Sequence, residues 1–183
     1  QIVNNIQTIV SRSMPLTEQA AVVTVGVFEG GVRSNIIPES VFMEGTIRAL
    51  DEDMRQLIFK RLETIVEHTA KSNGAEAVLT INDGYPITYN DVALTDMMIP
   101  TLEDVSEELV LVPAITGAED FSFFQKEIPG LYIFVGGLPS GKNPEDAAGH
   151  HTPDFYIDES GMITGVKAYS RLVLDYLEKA KKQ

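Results

Sequence analysis

The chain has 183 residues, 44% of them hydrophobic and 22% charged, and a net charge of −13. That is an ordinary globular composition with apolar material for one domain or two small ones. The acidity argues against a general nucleic-acid binder, which needs a basic footprint, and against attraction to an anionic membrane surface. With no cysteine present, disulfides and thiolate zinc sites are excluded. No apolar run approaches the roughly 18 residues of a membrane span, and no signal peptide is visible. The chain opens on Gln1, directly into a helical pattern. Such a start suggests a processed or truncated product; the cytoplasm is favoured as compartment, with export left open.

Ile2, Val3, Ile6, Ile9 and Val10 fall on one face of a helix that Pro15 ends at the latest. Val23, Val25 and Val27 alternate as a half-buried strand, and Glu29-Gly30-Gly31 marks a turn or bulge. Residues 41 to 49 alternate as a second strand. Asp51 is placed to cap a helix whose apolar stripe runs through Met54, Leu57, Ile58, Leu62, Ile65, Val66 and Thr69, and Gly74 stops it. Ala77, Leu79 and Ile81 predict a third strand. This order suits a small antiparallel sheet with helices on one face, an α+β layer. Gly84-Tyr85-Pro86 closes the block, and a domain boundary falls near residue 88.

In the second block, residues 89–183, Asn90 is placed to cap a helix containing Leu94, Met97, Met98, Leu102 and Val105, which Pro100 should kink or split. Residues 109 to 113 are a short apolar run, and Thr116 to Phe124 reads as a turn into a short helix. Leu131 to Val135 is a continuous apolar run of the kind buried on both faces of a parallel sheet. A long Gly/Pro/Asp loop over residues 136 to 153 precedes a final helix with Met162, Val166, Tyr169, Val173, Tyr176 and Leu177 on one face. Two strands and three helices are too few for a complete α/β sheet, so this block resembles half of a layered domain.

Three sets of residues bear on chemistry. His150 and His151 end the long loop just before Thr152-Pro153-Asp154-Phe155. Neutral imidazole is the commonest metal ligand, and Asp154 or Asp158 is available as an acceptor for the other ring nitrogen. Two histidines alone do not make a zinc site, which takes three or four ligands. Gly117-Ala118-Glu119-Asp120-Phe121-Ser122 carries paired carboxylates suited to acid/base work or ligation. It also fits a purely structural role: Thr116 and Glu119 have capping-box spacing, and a helix start here would offer backbone N–H groups to an anion. Asn35, before the second strand, and Arg48, on its polar face, are suited to gripping a carboxylate, or are simply a turn amide and a solvated cation. His68 lies beside the apolar stripe of its helix and reads as a surface histidine. Gly30-Gly31 is no phosphate loop, because neither a Walker lysine nor GxGxxG is present.

Taken together, these segments resemble the zinc-type amidohydrolases of the aminoacylase–carboxypeptidase metallopeptidase family, which includes hippurate hydrolase, N-acyl-amino-acid amidohydrolases and auxin-conjugate hydrolases. Ile9-Val10-Ser11-Arg12, Asn35-Ile36-Ile37-Pro38, Glu44-Gly45-Thr46-Ile47-Arg48, Gly84-Tyr85-Pro86, Gly117 to Ser122 and His151-Thr152-Pro153-Asp154-Phe155 stand in the family's order. The resemblance implies a ferredoxin-like lid over residues 1–88, an antiparallel sheet with two helices that commonly makes a homodimer. Residues 89–183 would then be the C-terminal part of an α/β catalytic domain, with its other strands on a segment before Gln1. It further implies one or two divalent ions, Zn or Mn, a metal-activated water attacking an amide carbonyl, and an N-acyl amino acid or peptide as substrate. His151 occupies the position of the last metal ligand, with Asn35, Arg48, Gly117 and Glu119 facing substrate. No catalytic group of its own is expected in the chain, which alone should be inactive. His150 stands where the family usually has a small or aliphatic residue and competes for the ligand role. The alternative is a non-catalytic dimerisation or binding module derived from the same family.

Overall fold

The computed structural model describes every residue except Leu16, Glu18, Ser140, Lys182 and Gln183. It separates into two compact units: Gln1–Thr88 with Ala114–Phe123, and Tyr89–Pro113 with Phe124–Gln183. The stretch 114–123 thus clusters with the first unit, although in sequence it lies inside the second block.

In the first unit, helix α1 (Ile2–Ser13) and helix α2 (Glu52–Ser72) cover one face of an antiparallel ribbon of β1 (Ala21–Gly30) and β2 (Val41–Ala49). The core is Ile6, Ile9, Ala21, Val23, Met54, Ile58 and Leu62, with Ile9 and Ile58 at 0% exposure. These are the side chains that the two helical stripes and the strand alternation select. Asp51 caps α2 by accepting the Met54 N–H at 2.8 Å. At the other end Gly74, at φ 69°, donates to the Lys71 carbonyl while Ala75 donates to that of Ala70, a Schellman closure that needs the glycine.

The ribbon pairs Val23 with Ile47 and Val22 with Arg48, and a bulge leaves Gly26 without a partner between Val25 and Val27. Opposite the bulge, a Cβ on Gly45 would overlap the Thr24 carbonyl oxygen, so only glycine lets the strands approach this closely. The third strand predicted over residues 77–81 is absent as a ladder: these residues pair with no strand among the described residues. Alternation marks which side chains share a face, but a strand also needs a hydrogen-bonded neighbour.

In the second unit, α3 (Val92–Glu103) packs on α5 (Met162–Ala180) around Met98, Leu102 and Ala168. Thr101 donates to Asp175 Oδ2 at 2.8 Å and Lys179 Nζ to the Met97 carbonyl at 2.6 Å. α3 runs through Pro100 unbroken, against expectation. The proline lies in the last turn, where its missing N–H removes a single helical bond. The cap of α3 is Asp91, which accepts the Leu94 N–H, and not Asn90. Asn90 instead clamps residue 132: its amide donates to the Tyr132 carbonyl at 2.8 Å and accepts the Tyr132 N–H at 2.7 Å. The strand expected over residues 131–135 has no ladder partner among the described residues. The apolar face of α5 is likewise uncovered, with Val166, Tyr169, Val173 and Leu177 exposed. No helix of the described residues is long and apolar enough to cross a membrane.

Ile58→Ala is expected to cost the first unit roughly 2–5 kcal/mol, because a fully enclosed site relaxes little around the lost atoms. The check is the midpoint of its urea transition.

Candidate functional site

His150 and His151 lie in the turn between Gly149 and Phe155. Thr152 Oγ1 donates to the Gly149 carbonyl at 2.7 Å, and the Phe155 N–H donates to the Thr152 carbonyl at 3.1 Å. His151 has φ 64°, the only positive φ outside glycine among the described residues. Histidine visits this region more readily than most residues, yet it is still uncommon there. The His150 ring packs on Phe155, centroids 4.6 Å apart. The two neighbours, equivalent in sequence, therefore differ: one ring rests on an aromatic, and the other is presented from a left-handed backbone.

The end of this segment is pinned where the Asp158 N–H donates to the Gly137 carbonyl at 2.8 Å. A Cβ on Gly161 would come within 2.5 Å of the Gly136 carbonyl oxygen, so this approach also depends on glycine. Asp158, one of the two expected acceptors for a histidine ring, instead accepts the Ser160 N–H at 2.8 Å and caps a short 3-10 turn, Glu159–Gly161. That backbone hydrogen bond, helped by the Ser160 hydroxyl, holds its carboxyl below the usual range.

The Gly117–Ser122 turn leads into α4 (Phe121–Glu127), which has only seven residues. The backbone N–H groups expected to be open to an anion are engaged within the turn. Phe121 N–H reaches Glu119 Oε1 at 3.4 Å, Ser122 N–H the Glu119 carbonyl at 3.2 Å, and Phe123 N–H the Asp120 carbonyl at 3.0 Å. The Glu119 side chain thus accepts the first N–H of α4. The fully buried Ser122 closes the turn by donating its hydroxyl to the Glu119 carbonyl at 2.6 Å. Asp120 has its pKa raised, first by a hydrogen bond shared with the Glu119 carboxyl and second by that group's charge.

Asn35 lies in the exposed loop between β1 and β2. Arg48 is also exposed, and its Nη1 donates to the Thr116 carbonyl at 2.5 Å. The structure therefore joins two candidate segments, Arg48 and the turn that begins at Gly117. His151 belongs to the other unit. His68 is exposed, with Nδ1 2.8 Å from the Thr64 carbonyl, a helix-surface contact. A cavity of about 500 Å³ beside α2 is lined by Glu63, Val66, Glu67, Lys71, Glu76, Ala77 and Leu79, and so by none of the candidate residues.

Among the described residues, no three His, Cys, Asp or Glu side chains gather closely enough to hold a metal ion. A zinc site takes three or four such ligands. The residues present therefore do not by themselves fit a complete metal centre.

The model of the peptidase family M20/M25/M40 matches residues 6–175, and the chain belongs to this family. It is 33% identical over 187 residues to the IAA-amino acid hydrolase ILR1-like 4 of Arabidopsis thaliana, covering 98% of this chain and 42% of that protein. Among solved structures, a protein from methicillin resistant Staphylococcus aureus, provisionally described as an aminohydrolase, superimposes with a TM-score of 0.82 at 30% identity. The match covers 96% of this chain and 45% of that one. The Bacillus subtilis YXEP protein, described as a dinuclear metal binding peptidase of the M20 family, shares the fold with a TM-score of 0.76 at 24% identity, over 97% and 45% of the two chains. The chain spans less than half the length of the curated relatives it matches.

Because its partner is another carboxyl, Asp120 should keep its proton to a higher pH than a free aspartate. The contribution of that shared proton to the fold is present below the ordinary aspartate pKa and is lost as pH rises through the raised one. Carboxyl NMR titration should show the raised midpoint, and Glu119→Gln, which removes the neighbouring charge, should lower it.

Proposed function

We propose that the chain is a portion of a metal-dependent amidohydrolase that cleaves N-acyl amino acids or related amides, with His151 as one metal ligand. The observation that carries this reading is the backbone of His151. A non-glycine residue in the left-handed region costs on the order of 1–3 kcal/mol and persists where the surroundings over-determine it, as they do at functional sites. His150, packed on Phe155, is the less suited of the pair. Family membership supports hydrolase chemistry, and a relative named for IAA–amino acid hydrolysis supports an amide of an amino acid as substrate class.

Arg48 has five N–H donors, of which one serves Thr116; among the described residues no other partner takes the rest, which suits them to a substrate carboxylate. Asn35, Gly117 and Glu119 are the further residues we assign to the substrate side. The ion, Zn or Mn, would take its remaining ligands and its general base from outside this chain. The second unit would be one part of a layered catalytic domain, a reading supported by the uncovered apolar face of α5.

We also infer that the first unit pairs with a second copy. Phe28, Val32, Ile37 and Phe42 are exposed around one end of the ribbon, and both of its outer edges are unpaired among the described residues.

The isolated chain should not hydrolyse N-acetyl amino acids even with added Zn²⁺ or Mn²⁺; robust turnover by it would overturn the incomplete-site reading. In a longer protein that contains this chain, His151→Ala should lower the metal content found by elemental analysis and abolish turnover, whereas His150→Ala should preserve most of both. The reverse result reassigns the ligand. Sedimentation equilibrium should return the mass of a dimer, and Phe42→Glu should shift it toward monomer; a parent that is monomeric throughout refutes the pairing.

A further inference from the structure

The bonds inside the Gly117–Ser122 turn fix its shape but not its place. Those from Phe121, Ser122 and Phe123 all end on Glu119 or Asp120, within three residues of their donors. What ties the turn to the rest of the first unit is different in kind. Arg48 reaches Thr116 across 68 positions of sequence, and the Tyr85 ring meets Phe123 with centroids 5.7 Å apart. Both contacts lie within the first unit. On β2, Ile47 and Ala49 pack toward the helices, so the pleat sends Arg48 to the opposite face of the ribbon. The turn is therefore held to the ribbon face that α1 and α2 leave open.

We infer that Arg48 is a positioning residue, which by donating to the Thr116 carbonyl places the turn bearing Glu119 and Asp120 on the open face of the ribbon. This goes beyond a direct grip on substrate and holds or fails whether or not the chain belongs to a working hydrolase. A planar guanidinium suits the task, since it can keep one N–H on a fixed carbonyl while other donors stay available. The acceptor is a backbone atom, so the anchor does not depend on which side chain residue 116 carries.

The chain has no cysteine, which makes a single spin label clean. Thr24→Cys puts a nitroxide on the same ribbon face as Arg48, two cross-strand pairs along from the Val22–Arg48 pair. In the parent, the label should broaden the amide signals of residues 117 to 122. Arg48→Met should lose that broadening while the β1 and β2 amide shifts and the raised Asp120 titration stay as they were. That combination means the turn keeps its shape and loses its place, which a merely structural arginine would not produce. Arg48→Lys, which retains a donor and the charge, should recover much of the broadening. Unchanged broadening in Arg48→Met overturns the proposal. So do β1 and β2 shift changes as large as those of the turn in both variants, which would mark Arg48 as an ordinary fold residue.

Discussion

A two-stranded ribbon is at best marginally stable in water, so the first unit depends on the cover that α1 and α2 give to one face of β1 and β2. Ile9 and Ile58, one from each helix, are the side chains most completely enclosed by that contact. Burying each contributes roughly 1.5–3 kcal/mol. Everything else in the unit takes its orientation from this layer. Once one face is committed to the helices, the pleat decides that Arg48 and Thr24 point the other way, and with them the site of attachment for the Gly117 turn.

A second tie extends the layer toward the exit of the unit. The Arg55 guanidinium donates to Glu52 at 2.7 and 3.0 Å and to Asp83 Oδ1 at 2.5 Å, and it lies over the Phe59 ring at 5.3 Å. Its pKa is raised, first by the hydrogen bond to Glu52, so it stays charged across the accessible range. Both carboxylates are substantially exposed, at 44% and 72% of their side chains, so solvent screens the pairs and their contribution is modest. Their value is geometric: the first turn of α2 is joined to the residue just before Gly84-Tyr85-Pro86. Tyr85, whose ring meets Phe123, is thereby set by the same helix.

Most of the first unit was legible in the sequence. The stripes of α1 and α2, the Asp51 cap, the Gly74 stop and the two strands each follow from local rules of spacing and turn chemistry. The residues of 77–81 and 131–135 carry strand-like composition, but composition names faces and not partners, and no strand among the described residues pairs with either. Asn90 and Asp91 are both good caps by type; in the fold the second caps while the first turns back to Tyr132. The Arg48 anchor was invisible for another reason, since its acceptor is a main-chain oxygen 68 residues away and leaves no mark on side-chain identity. His150 and His151 were found together by sequence, but the left-handed backbone and the Phe155 contact that separate them are properties of the folded turn.

The Asn90 amide has one further consequence. A side-chain amide presents a donor and an acceptor side by side, as a peptide group does, and here both are spent on the N–H and C=O of one residue, Tyr132. It works as a one-residue template strand along one edge of the 131–135 run. Sliding that run by a single position would break both bonds and exchange the faces on which its side chains stand. Any strand that pairs along the opposite edge therefore meets a register already keyed by a single asparagine.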